Sequence, residues 1–370
     1  MVIQISSKKH EKLFLEVARE IYKDDTNWIC PLDSDIRQIF NPKKNHFHQH
    51  GECERWLLIK NHKPIGRIAA FVNYEKAYAH LYPTGGIGFF ECINDAVAAK
   101  ELFDTAKDWL DSKGMKAMDG PINFGENDNF WGLLIEGFTP PSYGMNYHKP
   151  YYKDLFLNYG FTVRYEQITN HLDVNRPFPE RFTKIANWVM QKPGYTFKHF
   201  EKENLGQFAK DFMEIYNNAW EGFENFRPIK METIMESFRK MKLIMDEKLI
   251  WFAYVNGEPA SFILILPDAN EIIKDFNGKM GLFNGIRFLL NRTKKVKRMR
   301  AIVMGTKKAF QKHGLESALF IKLKEYVLPL GKYKELELSW VGDFNKEMLA
   351  IHKATGATFG KKHATLQYKF

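Results

Sequence analysis

The sequence predicts an α/β protein, a mixed sheet flanked by helices, built as two tandem copies of one unit. Three matches between the halves carry that expectation. Glu20-Ile21-Tyr22 recurs as Glu214-Ile215-Tyr216, an offset of 194. WLLIKNHKPIGRI from Trp56 matches WFAYVNGEPASFI from Trp251, an offset of 195 that sets Asn61 over Asn256 and Pro64 over Pro259. Near each end a helix-like run stops at a glycine, Gly160 and Gly356, an offset of 196. Matches at nearly one spacing mark a duplicated structural unit. The copies are expected at 1–177 and 195–370, joined by a helical linker over 178–194.

Each copy opens with a strand, VIQIS or TFKHF, and an amphipathic helix that ends at the Glu-Ile-Tyr segment. A hairpin follows, its turn signalled by KNHKP in one copy and VNGEP in the other. Next come a buried strand (IGFFECI; RAIVMG) and a long helix (AVAAKELFDTAKDWLDSKG; LESALFIKLKEYVLPLG). A further strand (MKAMDG; ELELSW), a helix and a last strand are expected to close the unit.

The 370 residues exceed what one core usually organises, and 45% hydrophobic with 15% aromatic content excludes a disordered chain. No apolar run approaches the ~20 residues that span a bilayer, so no membrane partner is expected. MVIQISSKKHEKLF lacks the apolar core of a signal peptide, and the only cysteines are Cys30, Cys53 and Cys92. Both features point to a reduced, cytoplasmic setting. The net charge of +10 fits nucleic acid, a phosphate-bearing cofactor or plain solubility.

The copies differ in two insertions. Between hairpin and long helix the offset rises from 195 to 217, so the second copy carries about 22 extra residues around KMGLFNGIRFLLNRTKKVKR. The offset then returns to 196, so the first copy carries a similar surplus, the stretch from Met118 to Tyr152. That stretch is rich in glycine, proline, asparagine and aromatics and has neither helical nor strand periodicity. Placed after a central strand of an α/β sheet, it is expected to form an ordered lid or wall between the halves. Asn123, Asn127, Asp128 and Tyr147 are its candidates for substrate binding.

In the second copy a strand, a short loop with basic and amide residues, a glycine and a helix start follow one another. The unpaired N–H groups of a helix's first turn make such a place an anion site. Met304, Gly305 and Thr306, then Gln311, Lys312, His313, Gly314, Leu315, Glu316 and Ser317, would wrap the anion, with Lys307 and Lys308 adding charge. The alternative is an ordinary helix start with a solvated lysine face.

This order of elements, with Q-x-x-G-x-(G/A) after the fourth strand, resembles the GNAT superfamily of acyl-CoA-dependent N-acyltransferases. The carboxyl end resembles that family's last helix, with Asn345, Met348, Ile351, His352, Gly356 and Ala357 at its spacing. The resemblance implies two tandem GNAT-like domains and direct attack of an amine on an acyl thioester. It implies acetyl-CoA or another acyl-CoA as cosubstrate, no metal, and a small-molecule or peptide amine as acceptor. Transfer from aminoacyl-tRNA is a variant within the family, and a non-catalytic ligand- or partner-binding protein is the rival. Backbone N–H groups at Met304 and Gly305 would serve the thioester oxygen.

His352 stands in the slot of a tyrosine that protonates the leaving thiolate; otherwise it is a helix-surface histidine. Glu337 and Asp343, flanking the fifth strand's end, are candidate bases, with Glu337 otherwise a solvated edge residue. Trp220, Phe223 and Trp340 are expected to line the acceptor cleft. Glu316 departs from the family, which has a small residue there. In the first copy Glu91 and Asp95 oppose a phosphate and Phe156 fills the tyrosine slot, so coenzyme binding is expected to be lost there.

Two other clusters carry alternative readings. His46, His48, His50 and Cys53 would share one side of an extended chain as metal ligands, or form a polar loop leading into a strand, the preferred alternative. The basic run Asn291 to Arg300 would contact a nucleic acid backbone or the coenzyme's 3′-phosphate, or be a solvated insertion; specific single-strand binding is disfavoured because aromatic platforms are few.

Overall fold

The computed structural model describes residues 1–370 apart from 80, 223–227 and 293. The first half contains β1 (Val2–Gln4), α1 (Lys8–Tyr22), α2 (Asp33–Ile39), β2 (Gly51–Lys60), β3 (Lys63–Asn73), β4 (Thr84–Cys92), α3 (Ala96–Ser112) and β5 (Ala117–Gly120). It continues with β6 (Leu133–Glu136), α4 (Tyr152–Tyr159) and β7 (Thr162–Asp173). After α5 (Glu180–Met190) the second half runs β8 (Tyr195–His199), α6 (Leu205–Trp220), α7 (Met231–Met241), β9 (Ile250–Val255) and β10 (Glu258–Pro267). Then come α8 (Asn270–Ile273), α9 (Leu282–Asn291), β11 (Arg298–Thr306), α10 (Leu315–Leu330), β12 (Glu335–Gly342), α11 (Lys346–Ala354) and β13 (Thr358–Lys369).

The hairpin turns form where the sequence signals them. Asn61 and His62 (φ 52° and 61°) join β2 to β3, and Asn256 and Gly257 (φ 50° and 83°) join β9 to β10. Two successive left-handed residues make the turn whose twist matches the strands. Two main cores form, one around Phe90, Phe103 and Phe156 that also takes in Ala364 and Leu366 of the second half, the other around Leu319, Leu323 and Leu336 that takes in Leu172 and Val174 of the first.

One sheet runs through the molecule in the order β1-β2-β3-β4-β5-β13-β7-β12-β11-β10-β9-β8, with β6 pairing β13. The expectation that each copy closes on its own last strand is corrected. β7, which ends the first half, pairs with β12 of the second, and β13, which ends the second, pairs with β5 of the first. The two closing strands pair with each other from Thr358 opposite His171 to Gln367 opposite Thr162. Exchange leaves no free edge where the halves meet. The opening insertion also differs from expectation, because its residues Leu133–Glu136 form a strand against β13.

At this join the sheet buries charge. Glu337 on β12 accepts from Lys361 Nζ on β13 at 3.1 Å, and both are 2% exposed or less. Arg300 Nε lies 3.8 Å and His171 Nε2 3.7 Å from the same carboxylate. Burial alone would raise the Glu337 pKa, but Lys361, Arg300, Arg298 and His171 outweigh it and hold it down to about 2. Glu337→Gln strands Lys361 without its counter-charge and should cost about 3–5 kcal/mol, whereas Glu337→Leu with Lys361→Met should recover most of it. Because the folded pKa is depressed from 4.5, the carboxylate's contribution is present above pH 4.5 and lost as pH falls toward 2. Urea unfolding from pH 6 to 3 tests this: the wild type should weaken with acid more steeply than the double variant.

Candidate active site

The sheet splits in each half. β11 pairs in parallel with β12 only over Arg298–Ala301, and β4 with β5 only over Thr84–Gly86. Beyond these points the strands diverge, and the two gaps differ in content.

In the first half the gap is filled from within. Ile122 donates its N–H to Ile87 O, and a Cβ on Gly88 would sit 1.9 Å from Ile122 O, so the insertion crosses the gap in contact with β4. Tyr152 donates to Glu91, Cys92 N–H donates to the Tyr152 hydroxyl (3.3 Å), and Tyr151 donates to Cys92 O (2.7 Å). The start of α3 is occupied too. Asp95 accepts from Val97 N–H (2.9 Å) and Ala98 N–H (3.2 Å), bonds that hold its carboxyl below the usual range. The cap takes two of the first-turn N–H groups and sets a carboxylate where a phosphate would have to sit. What remains is a cavity of about 50 Å³ beneath the insertion, lined by Trp28, Arg67, Glu91, Met145, Tyr147 and His148. Phe156 lies in the core.

The second half presents the opposite case. Gly314, at φ +79°, caps α10 without a side chain, and a Cβ there would meet Ile185 and Val189 of α5 at 2.7 and 3.1 Å. The first-turn N–H groups of α10, at Leu315, Glu316 and Ser317, therefore lack a side-chain cap. Lys307 N–H pairs with Ala260 O and Gly305 O accepts from Ser261 Oγ at 3.0 Å, so both residues face β10. The two-residue strand period then turns the N–H groups of Met304 and Thr306 toward the gap. Of the two expected oxyanion donors, Met304 is positioned and Gly305 is not.

The loop's charge is smaller than the sequence suggests. Lys307 is buried between Glu214 and Glu258, and Lys308 Nζ pairs with Glu221 at 3.1 Å. Lys312 is exposed, Gln311 Nε2 reaches Thr306 O at 3.5 Å, and His313 meets the Tyr195 hydroxyl at 3.2 Å. Glu316 folds back to accept from the Thr306 hydroxyl at 2.6 Å.

The four catalytic candidates do not converge. His352 is buried, contacts Asn170 at 3.1 Å, and is pushed down to about 4 by burial, so it is neutral at pH 7 and has no imidazolium proton to give. The surface alternative for it is likewise excluded. Glu337 belongs to the buried cluster at the join, not to a solvated edge, and a carboxylate held near 2 is a weak base. Asn345 caps α11 by accepting from Met348 N–H at 3.1 Å. Asp343 is half-buried and donates its N–H to Glu166 O. Trp340 is half-buried in the irregular part of β12.

The acceptor candidates are dispersed, with one electrostatic link across the halves through Tyr216. The Trp220 ring would lie 2.5 Å from a Cβ on Gly305 and stacks on Tyr216 at 4.4 Å. Tyr216, its hydroxyl pKa raised by burial and then by Glu126 and Asp128, faces the first-half insertion. Asp128 has an open face yet is set deep enough that desolvation raises its pKa, with Glu126 adding to the rise and Arg300 opposing it. Asn127 is exposed beside it, Asn123 is buried with an unpaired Oδ1, and Tyr147 donates to Asp25. Phe223 lies outside the described residues. The histidine run forms a 3₁₀ turn, His46–Gln49, in which His48 meets Ile39 O at 3.1 Å, so the extended alternation does not occur.

Sequence reasoning missed what holds the insertion. Arg298 donates to the carbonyls of Pro140 (3.1 Å) and Pro141 (3.0 Å) and pairs with buried Asp268 at 2.6 Å. Arg300 donates to Tyr143 O at 2.7 Å, and Asp268 accepts from Tyr143 N–H at 2.9 Å. The signal was present: two arginines two residues apart in a strand share a face.

The fold is that of tandem GNAT proteins. A tandem GNAT protein from the clavulanic acid biosynthesis pathway superposes over 100% of this chain and 98% of its own, with a TM-score of 0.58 at 11% identity. A GCN5-related N-acetyltransferase from Sphaerobacter thermophilus gives 0.57 at 9% identity over 100% and 95%. In sequence the chain is 28% identical over 371 residues to a protein of Caulobacter vibrioides named bacterial ceramide synthase, covering 98% of this chain and 95% of that one. It is 26% identical over 363 residues to Protein YghO of Escherichia coli, covering 96% and 92%. No family model matches.

Arg298→Ala should release the insertion and leave Asp268 buried without its partner. Hydrogen exchange should accelerate over residues 138–146, with a stability loss of about 3–5 kcal/mol by urea unfolding.

Proposed function

We propose that this protein transfers an acyl group from acyl-coenzyme A to the amine of a long-chain base, with the coenzyme held by the second half. The observation that carries the reading is the contrast between two equivalent helix starts: Asp95 closes α3, and Gly314 leaves α10 open. An open helix start beside a split strand suits a pyrophosphate, with the thioester running into the gap. The name ceramide synthase denotes amide formation on a long-chain amine, the same class of reaction, and the Caulobacter protein matches along nearly its whole length.

In the proposed step the amine nitrogen, freed of its ammonium proton, attacks the thioester carbonyl, a C–N bond forms, the C–S bond breaks, and the leaving thiolate takes the proton that the new amide nitrogen sheds. Met304 N–H donates to the developing oxyanion. Glu126 and Asp128 attract the acceptor's ammonium, and Asp128, its pKa raised by burial, takes the proton. Support for this pairing comes from Trp220, which lies against Gly305 and stacks on Tyr216, the residue whose hydroxyl senses Glu126 and Asp128.

Titration calorimetry with acetyl-CoA and a long-chain acyl-CoA tests the donor. Because any side chain at Gly314 meets α5, Lys312→Glu is the cleaner disruptive variant and should weaken binding about tenfold, while Glu316→Gln should tighten it several-fold. Absence of binding at millimolar acyl-CoA overturns the reading. With a long-chain amine as acceptor, mass spectrometry should detect the amide. Asp128→Asn should lower kcat/KM about 10²–10⁴-fold. In the wild type kcat/KM should rise with pH through the raised carboxyl pKa, and the variant should lose that limb.

A further inference from the structure

The insertion of the second half ends in a feature that the acyl-transfer reading does not use. Helix α9 carries Leu282, Phe283, Ile286, Leu289 and Leu290, spaced so that all five fall within one stripe of about 120° at 3.6 residues per turn. None of them is covered: Phe283 is 86% exposed, Leu282 78% and Leu290 67%. The opposite side of the helix holds it in place. Phe288 packs on the second half's core, and Arg292 donates to Leu243 O at 2.7 Å. Exposed Met280 directly precedes the helix and adds to the apolar surface at its start.

The border of this surface is basic. Exposed Lys279 precedes α9 in the chain and exposed Lys294, Lys295 and Lys297 follow it, with Lys242 next to Leu243, whose carbonyl Arg292 holds. Of the carboxylates here, Asp275 pairs with Arg287 at 3.0 Å and Glu271 accepts from the N–H groups of Lys297 and Arg298. An apolar stripe rimmed by cations is complementary to a surface with an apolar interior and anionic head groups. Ten residues rise only about 15 Å, half the ~30 Å of a bilayer's hydrocarbon, so the helix would lie in the interface and not span it. Such docking departs from the expectation of no membrane partner, which rested on the lack of a spanning apolar run.

We propose that α9 and its lysine border dock this protein onto an anionic lipid bilayer. The proposal stands without the acyl-transfer reading, and its test uses no acyl donor. Full-length protein is floated with vesicles of phosphatidylcholine mixed with phosphatidylglycerol, and with phosphatidylcholine alone. The wild type should float with the mixed vesicles, about tenfold less with the neutral ones, and less again at high salt. Phe283→Glu with Leu290→Glu should abolish flotation, and Lys294→Glu with Lys295→Glu should reduce it about tenfold. These side chains are solvent-exposed, so thermal unfolding should match the wild type; Phe283→Ser serves if the double glutamate variant fails to fold.

Flotation with neither vesicle, or variants that float like the wild type, would overturn the proposal. So would a concentration-dependent dimer in lipid-free solution that Phe283→Ser dissolves, because the stripe would then be covered by a second copy of the chain.

Discussion

The constraint on which the rest of the structure depends is the exchange of the two closing strands. β7 lies between β12 and β13, so neither half completes its sheet without the other. A join of this kind, internal to a sheet, fixes the relative position of the halves by backbone hydrogen bonds and not only by surface contact. The Glu337–Lys361 pair sits across that join, on the two strands that flank β7. A buried ion pair adds little net stability against an apolar alternative. Its value here is in register: a two-residue slip of β13 would leave both charges buried and unpartnered.

A fixed relation between the halves lets one serve the other. The first-half insertion crosses its own gap and is then held against β11 of the second half by Arg298 and Arg300. The same segment that fills one split therefore walls the neighbouring one. Glu126 and Asp128 of the first half raise the pKa of Tyr216 in the second, after its burial. The halves have diverged by filling and capping in one place and leaving open in the other, on a shared scaffold.

Much of the fold was legible in sequence because the signals were local. The Asn61 and Asn256 turns, the helix ending at Gly160 and the open start at Gly314 depend on a few neighbouring residues. Strand pairing is not local: alternation identifies β7 and β13 as strands but carries no statement of which neighbour each takes. For the same reason β6 was invisible, since four residues among glycines and prolines become a strand only against β13. The site was legible where backbone geometry decided it, at Asp95 and Gly314. It failed where burial decided it, at His352 and Glu337, because spacing cannot distinguish a buried face from a solvated one.

Burial also explains why the candidate chemistry moves away from the last helix. A general acid needs a proton to give near neutral pH, and the environment of His352 removes it. A base needs a carboxylate that gains by taking a proton, which Glu337, held by Lys361, does not. Asp128 differs in direction: desolvation and Glu126 raise its pKa against a backbone hydrogen bond and Arg300, and its side chain keeps an exposed face. Three groups with the right functional atoms thus differ in what they can do, and the difference lies in their neighbours. Under the proposed reaction Asp128 belongs to the half whose helix start is capped by Asp95, while the uncapped start at Gly314 lies in the other. That division of labour is a reason for the exchanged strands to persist.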